Sequence, residues 1–130
     1  MTEDCIVLIG PKLEDDNEFV AKPIPRADAE RLVRAGFYFG QEQWLSRQHF
    51  LKCVGLGFWL SIEFEPDQER FEATIYKPKP SAAPCIVWSA YAKKDIVRLA
   101  RRALKQAVLI IKAEADKIAE HIEDVRKELA

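Results

Sequence analysis

No stretch of this chain is apolar for the ~20 residues that a membrane-spanning helix needs. Histidine is scarce, with two in 130 residues, and the three cysteines, Cys5, Cys53 and Cys85, stand far apart. No CxxC or HxH spacing occurs. That removes the ligand sets of ordinary zinc sites. An odd number of scattered cysteines suits free thiols in a reducing compartment, so a cytoplasmic location and no membrane association are expected. The opening Met-Thr-Glu-Asp agrees, being acidic where a signal peptide is basic. Nucleophile-elbow, P-loop and dinucleotide-binding glycine motifs are absent as well. The expectation is a protein that is not an enzyme and that holds no cofactor and no metal.

Net charge is nearly absent too, at −1, so no global field draws the chain to nucleic acid or lipid. The charge is zoned, however. Residues 1–76 carry a net −6, residues 77–112 a net +8 and residues 113–130 a net −3. A chain neutral overall can still present charged patches. About half the residues are apolar and a third charged, an ordinary globular balance.

Period-2 alternation is the clearest local signal. Phe58, Leu60, Ile62 and Phe64 alternate with Trp59, Ser61, Glu63 and Glu65. After Pro66–Glu69, Phe71, Ala73 and Ile75 alternate with Glu72, Thr74 and Tyr76. This predicts a hairpin in which Glu65 faces Arg70, Glu63 faces Glu72, Ser61 faces Thr74 and Trp59 faces Tyr76. Cys5–Ile9 and Phe19–Ile24 read as a further strand pair, and Cys85–Tyr91 as another strand. Lys77–Pro84, with three prolines, reads as a stiff connector. Ala27–Ala35 reads as a short helix ended by Gly36. Gln41–Val54 reads as a second helix, broken by Gly55 and Gly57.

The sequence from Lys93 onward predicts one long helix, because no Gly or Pro interrupts residues 93–130. In its first half, Ile96, Val97, Leu99, Ala103, Leu104, Ala107, Val108, Ile110 and Ile111 form a broad apolar half, which suits packing on a sheet. Further on, the apolar face narrows to a heptad seam of Leu104, Val108, Ile111, Ala115, Ile118, Ile122, Val125 and Leu129. Such a helix is roughly 55 Å long at ~1.5 Å per residue. A compact domain of this size is only ~36 Å across. The end therefore overhangs and predicts a homodimer seam over Ile111, Ala115, Ile118, Ile122, Val125 and Leu129; the alternative is a kink near Lys112 that folds the end back.

The remaining candidates are surfaces. Arg98, Arg101, Arg102 and Lys105 form a basic stripe. It reads first as the wet side of a core helix, and as the alternative as a phosphate-contacting face for nucleic acid. His49 and Cys53, at i and i+4 of the predicted second helix, would face one ion, yet two ligands do not make a site. Trp59 and Tyr76 beside Glu63 and Glu72 form an aromatic and acidic patch that suits a protein partner, unless helices cover that face. Opposed Glu63 and Glu72 violate cross-strand charge pairing. A catalytic carboxylate pair would also need a cleft.

The fold expected is α+β, one domain over residues 1–130. It has an antiparallel sheet of three to five strands, two short helices and a long C-terminal helix packed across the sheet. The function expected is a small cytoplasmic binding or regulatory protein, an inhibitor or adaptor acting by protein–protein contact, with nucleic-acid binding as the alternative.

Overall fold

A computed structural model describes the backbone of residues 5–11, 19–42, 47–79 and 82–130, with side chains over 22–40, 49–77 and 85–130. Residues 43–46 of the expected second helix and residues 80 and 81 of the expected connector lie outside the described residues. The architecture is α+β. β3 (Tyr38–Glu42), β4 (Arg47–Gly55), β5 (Phe58–Glu65), β6 (Arg70–Lys79) and β7 (Ala82–Ala92) form a five-stranded antiparallel sheet in sequence order. β1 (Cys5–Pro11) and β2 (Phe19–Pro25) form a separate antiparallel ribbon. It lies against β4, β5 and the short helix α1 (Arg26–Arg34). The long helix α2 (Ile96–Leu129) crosses one face of the sheet and touches β4 through β7 and α1.

The core is built where strand periodicity and helix periodicity meet. Along β5, buried and half-buried residues alternate without a break, so Phe58, Leu60, Ile62 and Phe64 all point inward. Ala73 and Ile75 from β6 and Phe50 from β4 join them. α2 answers with Leu99, Ala100, Ala103 and Ala107. Three alanines on that face let the helix backbone approach the sheet closely, and Ala is also the best helix former. α1 adds Ala29 and Leu32.

The helix ends follow local chemistry. At the end of α1, the Phe37 amide donates to the Leu32 carbonyl and the Gly36 amide to the Val33 carbonyl, both at 3.0 Å. This is a Schellman cap, and Gly36 holds the φ of +99° that it requires. Phe37 and Leu32, which flank the cap, are both buried. At the start of α2, the Asp95 carboxylate accepts from the Arg98 amide at 3.0 Å, satisfying one of the donors that a helix start leaves open.

Two predicted elements are corrected. In the helix expected over Gln41–Val54 the described residues are strand: Gln41 and Glu42 end β3, and Arg47–Val54 belong to β4, which pairs with β3 on one side and β5 on the other. Only two α-helices are present among the described residues, one short and one long. Phe50, Leu51 and Val54 lie at helical spacing, but Phe50 points into the core while Leu51 points to the opposite face. Both faces of this sheet carry apolar side chains, and that blurs the alternation by which a strand is recognised. In the connector expected over Lys77–Pro84 the described residues are strand, residues 77–79 ending β6 and residues 82–84 opening β7, with Lys79 paired to Ala82. Prolines are tolerated because β7 is an edge strand and β6 extends past the last β5 pairing at Tyr76. Gly55-Leu56-Gly57 makes a tight β4–β5 turn, with φ of +51° at Leu56 and +83° at Gly57. Positive φ at both positions is what a type I′ two-residue hairpin loop requires.

Candidate functional site

The face of the sheet turned away from α2 is ordered by strand register. Cys53, Trp59, Tyr76 and Ile86 lie side by side in one row. A second row runs Tyr38, Leu51, Ser61, Thr74, Ser89, and a third runs Gly40, His49, Glu63, Glu72, Tyr91. All the pairings predicted for the β5–β6 hairpin are present, from Trp59 with Tyr76 to Glu65 with Arg70. Side chains of these rows are half-buried or exposed, His49 excepted. Tyr38, Ile86 and Tyr91 are among the large exposed apolar residues. Trp59 and Tyr76 are half-buried, as is usual where neighbouring strands flank a side chain. The three rows together form a flat surface with aromatic residues on its rim and carboxylates within it.

The acidic part is more structured than a pair of opposed charges. Glu72 sits across from Glu63 in the ladder, and Glu65 is placed diagonally to it. Burial pushes the Glu72 carboxyl above its ordinary range; Thr74 and Arg70 pull it down, and Glu65 pushes it further up. The Thr74 hydroxyl donates to Glu72 Oε1 at 3.1 Å. Arg70 Nε donates to Glu65 Oε2 at 3.1 Å. The Arg70 guanidinium also stacks on Tyr91, 3.6 Å from the ring centre, a favourable cation–π geometry. Arg70 and Tyr91 thus tie β6 to the edge strand and limit how far the acidic cluster spreads.

Sequence reasoning missed Tyr38, Ile86 and Tyr91. The signal for the last two was present, since β7 continues the alternation. The register shift between Ile75 and Tyr76, opposite Trp88 and Ile86, hides it by leaving Val87 as an extra residue. Tyr38 was lost with β3 itself, which was not expected as a strand.

His49 and Cys53 lie on a strand rather than a helix. At ~3.3 Å per residue they stand about 13 Å apart, too far to share an ion. Among the described residues, no group of three or more His, Cys, Asp or Glu side chains is placed to hold a metal. His49 is instead a buried strand residue, facing Glu63 across the ladder.

On α2, Arg98, Arg101, Arg102 and Lys105 are all exposed. The Arg102 guanidinium lies 5.8 Å from the Trp88 ring centre. Lys77 does not extend the stripe; its ammonium donates to Glu114 at 3.4 Å and lies over Phe58. The helix continues without interruption to Leu129, which removes the expected alternative of a kink near Lys112. From Ala115 to the end of the helix every residue is exposed, including Ile118, Ile122, Val125 and Leu129. The overhang is 15 residues, or ~22 Å at ~1.5 Å per residue. Among the described residues, no helix is long and apolar enough to cross a membrane. Set against family models, characterised proteins and solved structures, the chain matches none of them.

Proposed function

We propose that this is a small non-enzymatic binding or regulatory protein of the cytoplasm, an inhibitor or adaptor that works by protein–protein contact and assembles as a homodimer through α2. The observation that carries the contact reading is the outer sheet face, where Trp59 pairs with Tyr76 and Glu63 with Glu72 on one surface, with the Ser61–Thr74 pair between them. Large amphipathic aromatics give much contact area for little lost side-chain freedom, and they dominate binding energy where they occur. The neighbouring carboxylates select a partner surface that combines apolar side chains with Lys or Arg. The homodimer reading rests on the exposed apolar seam of the overhang, for which another copy of the chain is a ready complement.

The test compares wild-type protein with Trp59→Ala and with the double variant Glu63→Gln, Glu72→Gln, as bait in lysate of the native host. The expected result is a protein retained by the wild type, lost on Trp59→Ala and weakened by the neutralised pair, with the baits folded alike by circular dichroism. A bound set identical for all three baits would remove the sheet face as the docking site.

The second reading is nucleic-acid binding by the basic stripe. Its support is that Arg98, Arg101, Arg102, Lys105 and Lys112 are all exposed, with no acidic residue between Ile96 and Lys112. It ranks below the first because no recognition motif accompanies it.

A further inference from the structure

The overhang of α2 has a counterpart on the same molecule. A groove of about 500 Å³ runs between α2 and the end of β4. Lys52, Cys53 and Val54 form one wall, and Leu104, Val108, Ile111 and Ala115 are among the residues of the other. Those four helix residues are the first half of the heptad seam. The second half, Ile118 to Leu129, is the exposed overhang. The groove and the overhang are therefore one apolar strip, supported by the sheet at one end and bare at the other. Val108, 66% exposed, marks the middle of the groove wall on the open side.

We infer that two copies pair antiparallel through α2, each laying its overhang in the groove of the other. This rests on the homodimer reading above and specifies how the dimer is made. An antiparallel pair brings a seam residue of one type opposite the other type. With the twofold axis between Asp116 and Lys117, all eight seam positions meet in this way. Leu104 meets the partner's Leu129, Val108 meets the partner's Val125, Ile111 meets the partner's Ile122, and Ala115 meets the partner's Ile118. No seam residue is left over.

Charge favours the same direction. Residues 96–112 of the helix carry five basic and no acidic side chains, and residues 113–129 carry a net −3. In this register residues 104–112, with Lys105, Lys112 and no acidic side chain, lie beside the partner's residues 121–129, net −1, twice over; Arg98, Arg101 and Arg102 lie beyond the paired stretch. Lys105 and Lys112 then flank the stretch with the partner's Asp116 and Glu123. One contact opposes this, Lys105 against the partner's Arg126. A parallel pair would set like halves together.

The experiment uses the full chain with Cys5, Cys53 and Cys85 changed to Ser and a spin label on Lys127→Cys, a solvent-facing position. Light scattering gives the mass and pulsed electron resonance the distance between labels. Antiparallel pairing predicts a dimer with labels about 30–40 Å apart, since each lies 10.5 residues of ~1.5 Å from the axis. A dimer with labels under ~20 Å apart, as in side-by-side parallel helices separated by ~10 Å, keeps the homodimer and overturns the antiparallel pairing. A monomer at tens of micromolar overturns both. Val108→Asp, in otherwise native protein, provides a check that needs no cysteine replacement. It should yield folded monomers, because the side chain is exposed in one chain alone; a dimer that survives it overturns the groove contact.

Discussion

Leu60 and Trp59 are neighbours in sequence and opposites in environment. Leu60 is fully buried against α2, while Trp59 lies half-buried on the other face. Leu60→Ala should open a cavity and cost ~2–5 kcal/mol. Trp59→Ala should cost clearly less, and thermal melts of the two variants measure the difference. Equal losses would make Trp59 a structural residue and remove the docking face. Glu72 gives a prediction with a sign. Its carboxyl is raised in the folded state, chiefly by burial, so the fold holds that proton more tightly than the unfolded chain does. The stability this contributes is present below the ordinary carboxylate value and is lost as pH rises through the raised folded value. Glu72→Gln should therefore stabilise the protein at pH 7, because the neutral amide has no charge to desolvate. The gain should vanish below about pH 4, where an ordinary Glu is protonated. Melts of both proteins at the two pH values decide it, and a gain that persists in acid would contradict the assignment.

Among the elements, α2 has two halves with different tasks. Up to Ala107 it supplies core; beyond Glu114 it supplies none. Ile118→Asp with Ile122→Asp puts charge into the seam without touching the sheet, so the double variant should be monomeric by light scattering and keep the strand signal of wild type by circular dichroism. Loss of the sheet would mean that the overhang stabilises the domain itself. The β5–β6 hairpin was fully legible in sequence, register included. Its alternation is clean and its loop short, and a shift of one residue would have turned Phe64 and Phe71 to solvent. β4 was not legible. Its apolar residues serve both faces, and the evidence that it is a strand is held by β3 and β5, which pair with it from the two sides.

For the whole molecule, the zoning of charge survives folding. The stripe of Arg98, Arg101, Arg102 and Lys105 stays exposed on α2. If it contacted phosphates, each one neutralised would add about −0.9 to the slope of log affinity against log salt for B-DNA. The expected outcome is weak, salt-labile binding, with Arg98→Glu, Arg101→Glu, Arg102→Glu and Lys105→Glu together removing it at little cost to stability. A submicromolar complex at physiological salt would promote the nucleic-acid reading above the docking face. Sequence alone determined the elements whose signal is local: the β5–β6 pairing, the capped short helix, the long helix and its seam. It also determined that the long helix exceeds its domain, because length follows from an uninterrupted run. Tertiary structure decided what depends on residues distant in the chain. It turned 47–55 into a strand, placed Tyr38 and Tyr91 on the surface that holds Trp59, and brought Glu65 as well as Glu63 to Glu72. It also set β4 alongside α2 and so made the groove. Each of these depends on which strand lies next to which, and that is settled by burial of the whole apolar set at once rather than by any one segment's pattern.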